Sequence, residues 1–157
     1  MDQQMRQFLE ERYAASQWTG GGAAGAIRNF NFTGSEIPGW TLVRAQRNEG
    51  ATPPSVLSIW RHGDATDEVI SLRIVECTNA AAAREQLLEE LGNFQSPVIQ
   101  RLSGPNAVGD VAFGLGDTMI LFVRANMVVV ILNAGRKVVT VTVIARGIDA
   151  LLRDRLA

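Results

Sequence analysis

Histidine and cysteine are almost absent from this chain. Its 157 residues include one histidine, His62, and one cysteine, Cys77. A lone cysteine excludes an intramolecular disulfide bond, and two such residues are too few for a zinc or copper site built from His and Cys. Any Cys-His or Ser-His catalytic pair would also have to use His62. The sequence therefore predicts no catalytic residue, no cofactor and no metal, and it favours a buried structural role for Cys77.

The chain also lacks an excess of charge and a long hydrophobic run. Fifteen Lys and Arg residues against 16 Asp and Glu residues give a formal net charge of -1, which predicts no binding to nucleic acid. The longest apolar run, MVVVIL, is too short to cross a bilayer. The N-terminal MDQQMRQFLEERY is too polar for a secretion signal. We therefore expect a soluble protein, cytoplasmic as the sequence is written, or an exported domain if a leader has been removed.

Hydrophobic residues are plentiful, at 46% of the chain, which is typical of a folded globular domain. Apolar residues at helical spacing predict an amphipathic helix over residues 1–18. Glycines at residues 19–26 then predict a flexible linker, followed by one domain over residues 27–157. Trp18 ends the helix, and we expect it to dock the helix either on its own domain or on a partner.

Alternating apolar residues predict three antiparallel strands in WTLVRAQ, SVLSIWRH and EVISLRIVEC. Helix 79–92 follows, with Asn79 as a capping residue and Gly92 at its end. Three further apolar stretches predict strands, the last two joined by a hairpin at Ala125 and Asn126, where Asn tolerates a positive φ. The fold class is α+β: a mainly antiparallel, twisted sheet of five to seven strands, with helices on its faces and the N-terminal helix on a Gly-rich tether.

Residues 138–144 are ambiguous. VVTVTVI alternates like a strand, while Val141, Ile144, Ile148 and Leu152 repeat like one face of a helix. We expect a helix from about Thr140, with a preceding strand turn as the alternative.

The stretch SIWRHGDA resembles the nucleophile motif of the histidine phosphatase superfamily. That resemblance implies that His62 attacks phosphorus while Arg61 holds phosphate oxygens. Phosphoryl transfer needs several positioned cations and donors, and this chain has no second histidine to supply one. The interpretation we favour is a hairpin turn in which Gly63 supplies a positive φ and His62 lies at the surface.

Other motifs favour structural interpretations. Gly20-x-Gly22-x-x-Gly25 matches the dinucleotide-binding fingerprint but follows a polar helix, so we interpret it as linker. Residues 64–68 form an acidic turn that lacks the glycine and distal Glu of a calcium-binding loop. Trp40 and Trp60 are expected in the core.

VGDVAFG, FVRANMVVVIL and ARGIDALLRDRLA, together with the order of the elements, resemble small bacterial domains of the PsbP-like α/β/α sandwich type. The resemblance covers residues 108–157. It implies an antiparallel sheet with helices on both faces, in a group whose members mostly bind proteins or are uncharacterised, and it transfers no catalytic residue.

Three functions follow as expectations. The first is a non-enzymatic interaction domain, with residues 2–18 contacting a protein partner or a second copy. The second is a small-ligand or anion-binding carrier or sensor, in which Arg44, Arg73 or Arg124 meets an anion between sheet and helices. The third and most remote is a phosphatase-like hydrolase using His62.

Overall fold

The computed structural model describes residues 1–20, 25, 31–94 and 96–156. Over these ranges the chain forms three α-helices and seven β-strands, which confirms the α+β fold class. In chain order the elements are α1 (Gln3–Arg12), β1 (Trp40–Asn48), β2 (Ser55–His62), β3 (Val69–Glu76), α2 (Ala80–Phe94), β4 (Gln100–Arg101), β5 (Val111–Gly114), β6 (Met119–Arg124), β7 (Met127–Asn133) and α3 (Thr142–Leu156).

The strands form one antiparallel sheet in the order β1-β2-β3-β7-β6-β5-β4. Short connections join β1 to β2, β2 to β3 and the successive strands from β4 to β7, whereas the central β3–β7 pair joins segments that are distant in sequence. The nine-residue β1 lies at one edge, and its register with β2 shifts between Leu42 and Arg44. The opposite edge is the two-residue β4.

The β6–β7 hairpin has the predicted two-residue turn, but the positive φ of 54° is at Ala125 rather than at Asn126, where it is expected from the sequence. The Asn126 side chain instead makes three hydrogen bonds. Its Nδ2 donates to the carbonyls of Cys77 and Gly25, and its Oδ1 accepts from the Gly25 amide. The Asn126 side chain therefore links the hairpin to the segments that contain Gly25 and Cys77. This role differs from the turn conformation for which the sequence suggests it.

The two faces of the sheet have separate hydrophobic cores. Leu87, Leu88 and Leu91 of α2 pack on one face, and Ile144, Ile148 and Leu152 of α3 pack on the other. The central strands β6 and β7 are buried along nearly their whole length, because side chains of a strand alternate between two covered faces. The sheet thus lies between two helical layers.

Helix α1 packs against α2 on the outside of this sandwich. Leu9, Tyr13 and Trp18 are buried in the α2-side core, and the rings of Tyr13 and Trp18 lie 5.1 and 5.4 Å from that of Phe113. Trp18 is expected from the sequence to dock α1 either on its own domain or on a partner. In the structure it docks α1 on its own domain. Most of the predicted 19–26 linker falls on residues outside the described ranges.

Helix α2 begins as predicted, with the Asn79 side chain accepting a hydrogen bond from the Ala82 amide at 2.8 Å. The prediction that Gly92 ends the helix is wrong, because α2 continues to Phe94. A Cβ atom at residue 92 would lie 2.9 Å from Leu9 Cδ1. Glycine at this position therefore lets the Leu9 side chain of α1 pack closely on α2, and a larger residue would displace that side chain.

The C-terminal ambiguity is resolved in favour of helix. Helix α3 begins at Thr142, two residues after the expected start, and residues 138–140 are not a strand. The β-branched residues are compatible with this helix because Val141, Ile144 and Ile148 pack into the core, and tertiary packing outweighs their weak helix propensity. In the described ranges, no helix is long and apolar enough to cross a membrane.

Candidate functional site

A cleft of about 500 Å³ lies between the start of β1, the end of β2 and the start of α3. Its volume is within the range of small-molecule sites. Polar groups line one part and apolar side chains line the rest. This combination makes it the candidate functional site.

Strand register brings Trp40 and His62 together at this cleft. They are direct partners across β1 and β2, and their rings stack with centroids 4.8 Å apart and planes at 24°. Trp60 is fully buried as predicted, and Trp40, also expected in the core, is partly buried and packs against the margin of the same core. Trp40 begins an edge strand, where the sheet has no further strand to cover it.

The predicted turn after His62 is present, with a φ of 56° at Gly63. The turn returns the chain so that the His62 amide donates to the Glu68 carbonyl at 3.0 Å. His62 is exposed, as predicted, with half of its side-chain surface accessible, yet it also lines the cleft. The turn therefore builds a site as well as joining two strands.

Three charged or titratable side chains form the polar end of the cleft. His62 Nδ1 lies 3.0 Å from Glu68 Oε2, and Lys137 Nζ lies 3.4 Å from Glu68 Oε1. The hydrogen bond with His62 is the main cause that lowers the pKa of Glu68, and Lys137 adds to it. Glu68 is therefore an anion at neutral pH that holds His62 and Lys137 on its two oxygens.

Most of the remaining lining is apolar, with Glu36 and Thr140 as its other polar members, and part of it is exposed. Val138 is 62% and Val143 78% accessible, although both are large hydrophobic residues. Ile37 and Ile144 form the buried floor. Gly147 of α3 also lines the cleft, and a Cβ atom there would meet nothing within 4 Å. This wall offers a hydrophobic surface with open space above it.

A short loop before β1 is held in place by Glu36. The Glu36 carboxylate accepts hydrogen bonds from the amides of Thr33 and Gly34 and from the Thr33 hydroxyl. Burial acts to raise the pKa of Glu36, but these hydrogen bonds outweigh it and the pKa is lowered. The next residues, Ile37 and Pro38, line the cleft, so Glu36 positions part of its wall.

The structure separates the two residues of the phosphatase-like motif. Arg61 precedes His62 in β2, and successive strand residues point to opposite faces. Arg61 does not line the cleft, and its Nε donates to the Gly63 carbonyl. The partner that the structure gives to His62 is Glu68, a pairing that orients the imidazole through Nδ1 and leaves Nε2 without a hydrogen bond to any described residue.

The three arginines expected to bind an anion do not converge. Arg73 pairs with Glu90 of α2 at 2.7 Å, and Arg44 is exposed on the edge strand β1. Arg124 is held by two carboxylates: it donates to Asp149 at 2.7 and 2.9 Å and to Asp110 at 3.1 Å. None of these three alternatives for an anion-binding residue lines the cleft.

Arg124 is the centre of a structural cluster formed with Asp110 and Asp149. The Gly109 amide donates to Asp149, and the Ala125 amide donates to Asp110. Burial acts to raise the pKa of Asp149, but the hydrogen bonds from Arg124 and Gly109 outweigh it and the pKa is lowered. The cluster joins the segment before β5, the β6–β7 hairpin and α3.

Cys77 is buried, as predicted. Burial raises the pKa of its thiol to about 11, so the reactive thiolate is scarce at neutral pH.

No group of three or more His, Cys, Asp or Glu side chains within the described residues is arranged to hold a metal ion.

A larger groove, of about 660 Å³, lies between α1 and α2. Its charged groups already have protein partners: Glu85 pairs with Arg6, and Arg84 donates to the Gly20 carbonyl. Its Trp18 is buried in the core with Nε1 donating to the Tyr13 carbonyl. The smaller cleft is the better candidate because its polar groups converge at one end.

Sequence reasoning identifies His62 but misses its neighbours. The pattern around Glu68 indicates only an acidic turn, and that around Trp40 a core residue. Lys137 offers one signal, since it is the only lysine in the chain.

No protein-family model, curated protein or solved structure matches this chain.

Proposed function

We propose that this protein is a non-enzymatic binding domain that takes a small ligand in the cleft beside His62. The observation that carries the proposal is the pairing of an exposed apolar wall, Val138 and Val143, with a convergent polar end. Ligand sites typically combine a mostly apolar lining with a few placed polar groups. The PsbP-like resemblance is part of the proposal, and the sheet between two helical layers supports it.

Gly147→Leu tests the cleft by filling it. The substitution adds a side chain into open space on a regular helix, where leucine is also the better helix former. The wild-type protein is expected to bind the neutral dye Nile red saturably, and Gly147→Leu to weaken this binding at least tenfold. Fluorescence titration measures both affinities, and thermal unfolding checks that the variant is folded.

Gly50→Leu is the matched control, because residue 50 also has free space around it and lies outside the cleft. Val143→Asp is a second cleft variant, since an acid is tolerated in the first turn of α3. Equal dye affinity in wild type, Gly147→Leu and Val143→Asp would show that the cleft is not the site.

A second candidate function is self-association through the outer face of α1. Met5 and Phe8 are three residues apart, so they share one helix face, and Phe8 is 56% exposed. The charged residues Arg6 and Glu10 pair with each other, and Arg6 also pairs with Glu85 of α2, so they do not interrupt this apolar face. Two antiparallel copies of α1 would bury Met5 and Phe8 of each copy in a small apolar contact around a twofold axis.

Phe8→Glu tests the second candidate. If the α1 faces meet in a dimer, sedimentation velocity is expected to show a concentration-dependent dimer for the wild type and a monomer for Phe8→Glu. Val98→Glu is the control, because Val98 is a similarly exposed apolar residue elsewhere on the surface. A monomeric wild type at high concentration, or a dimer unaffected by Phe8→Glu, would reject this function.

A further inference from the structure

The chemical class of the ligand can be inferred from the unused hydrogen-bonding capacity of the cleft, an inference that rests on the proposed function. We propose that the ligand is an amphipathic monocarboxylate, with its carboxylate at His62 and Lys137 and its hydrocarbon part against Val138 and Val143.

The carboxylate and carbonyl acceptors at the polar end are already occupied. Glu68 uses one carboxylate oxygen for His62 and the other for Lys137. The carbonyls of Glu68 and Asp67 accept from the amides of His62 and Lys137. Glu36 is satisfied by the Thr33–Gly34 loop. A ligand that offers only donors would find few free partners here.

Donor capacity is left over. The Lys137 ammonium has three N–H groups, its only ion pair within the described residues is the 3.4 Å contact with Glu68, and its side chain is 65% exposed. His62 Nε2 makes no hydrogen bond to any described residue, and it becomes a donor when the ring is protonated. The polar end is therefore suited to a ligand with acceptor atoms.

Charge favours an acid over a neutral acceptor. Lys137 is the one lysine or arginine that lines the cleft within the described residues, and its 3.4 Å contact with Glu68 leaves N–H groups for an anionic ligand. Glu36, the other carboxylate of the lining, is bound by the Thr33–Gly34 loop and lies 3.8 Å from Arg155. Charge-assisted hydrogen bonds to a carboxylate are roughly twice as strong as neutral ones. The exposure of Lys137 brings solvent screening, so we expect a preference of about tenfold rather than a larger one.

The stacked rings give this end a fixed geometry. Trp40 holds the imidazole from one side, and Glu68 fixes its rotation through Nδ1. The exposed valines then provide the surface that a hydrocarbon chain would remove from water, at about 25 cal/mol per Å². A carboxylate and an apolar chain joined in one molecule satisfy both halves of the cleft.

Three probes with the same eight-carbon chain test the inference: octanoate, octanol and octylammonium. Each is titrated against the protein with bound Nile red at pH 7 and low salt. Octanoate is expected to displace the dye with an affinity about tenfold higher than octylammonium, with octanol between them. Added salt is expected to reduce the preference for octanoate.

Lys137→Met keeps the aliphatic stem and removes the charge. It is expected to weaken octanoate binding about tenfold and to leave octanol binding unchanged. Arg136→Met is the control, since Arg136 is the adjacent cation in sequence but does not line the cleft. As an independent readout, octanoate should slow acylation of Lys137, the only lysine, measured by mass spectrometry.

The outcomes separate the two proposals. Binding of octanol or octylammonium as tightly as octanoate, or no effect of Lys137→Met on octanoate, overturns the carboxylate inference and leaves the cleft a ligand site. Failure of all three probes and of the dye to bind overturns the proposed function and the inference together.

Discussion

Replacing Arg124 with methionine is expected to lower the free energy of unfolding by about 3 kcal/mol, the low end of the range for breaking a buried ion pair. Arg124 donates three hydrogen bonds to Asp149 and Asp110. Without the guanidinium, Asp149 keeps its charge in a buried site with only the Gly109 amide and the distant Arg153 as partners. Denaturation by urea, followed by circular dichroism, measures the change.

Arg153→Met is the matched control for this prediction. Arg153 approaches the same carboxylate, but at 4.0 Å and with most of its side chain in solvent. Exposed pairs contribute about 0–1 kcal/mol, so the control should be nearly as stable as the wild type. Equal destabilisation by the two substitutions would show that the Arg124 cluster does not stabilise the fold.

The same cluster predicts a loss of stability in acid. The folded-state pKa of Asp149 is lower than its ordinary value of 3.8. Its contribution is therefore complete above pH 3.8 and is lost as the pH falls through the lowered folded pKa. Asp149→Asn is expected to be less stable than the wild type near pH 7, and the difference should shrink towards pH 2.

Trp18→Ala is expected to destabilise the protein by about 3 kcal/mol, as is usual when a buried aromatic residue is truncated. The Trp18 ring packs on Phe113, and its Nε1 donates to the Tyr13 carbonyl at 2.9 Å. Its loss leaves a cavity over the α2-side core and removes the attachment of α1. Thermal and urea unfolding measure the effect.

Phe8→Ala is the control on the same segment. Phe8 lies on the exposed face of α1, so its truncation should change stability by less than about 0.5 kcal/mol. If Trp18→Ala were as mild as Phe8→Ala, α1 would be an appendage whose removal the domain tolerates. A much larger loss of stability in Trp18→Ala than in Phe8→Ala would show that α1 is part of the folded core.

Periodicity predicts most of the sheet and helices because these features depend on neighbours in sequence. Alternation in SVLSIWRH and a leucine face in α2 are local signals. The role of Gly92 escapes such signals because the side chain that packs against it belongs to Leu9, more than eighty residues away in the chain. The role of Asn126 escapes them for the same reason, since its side-chain partners are Cys77 and Gly25.

The candidate site is harder to predict than the fold. Its polar end joins His62 and Glu68 of one turn with Lys137, which precedes α3. That meeting depends on the β3–β7 pairing, which brings the ends of distant segments together. Val143 also gives a misleading signal, because an apolar residue in a β-branched run suggests burial, whereas it is exposed beside the cleft.

The edges of the sheet determine how the protein behaves when it is crowded by copies of itself. An open edge strand can template the addition of another chain. The two-residue β4 is too short to do so. The longer β1 is interrupted by its register shift after Leu42 and carries Arg44 and Arg47, features that hinder growth into fibrils. Contacts between copies are thereby directed to side-chain surfaces, and the backbone of the sheet is kept out of them.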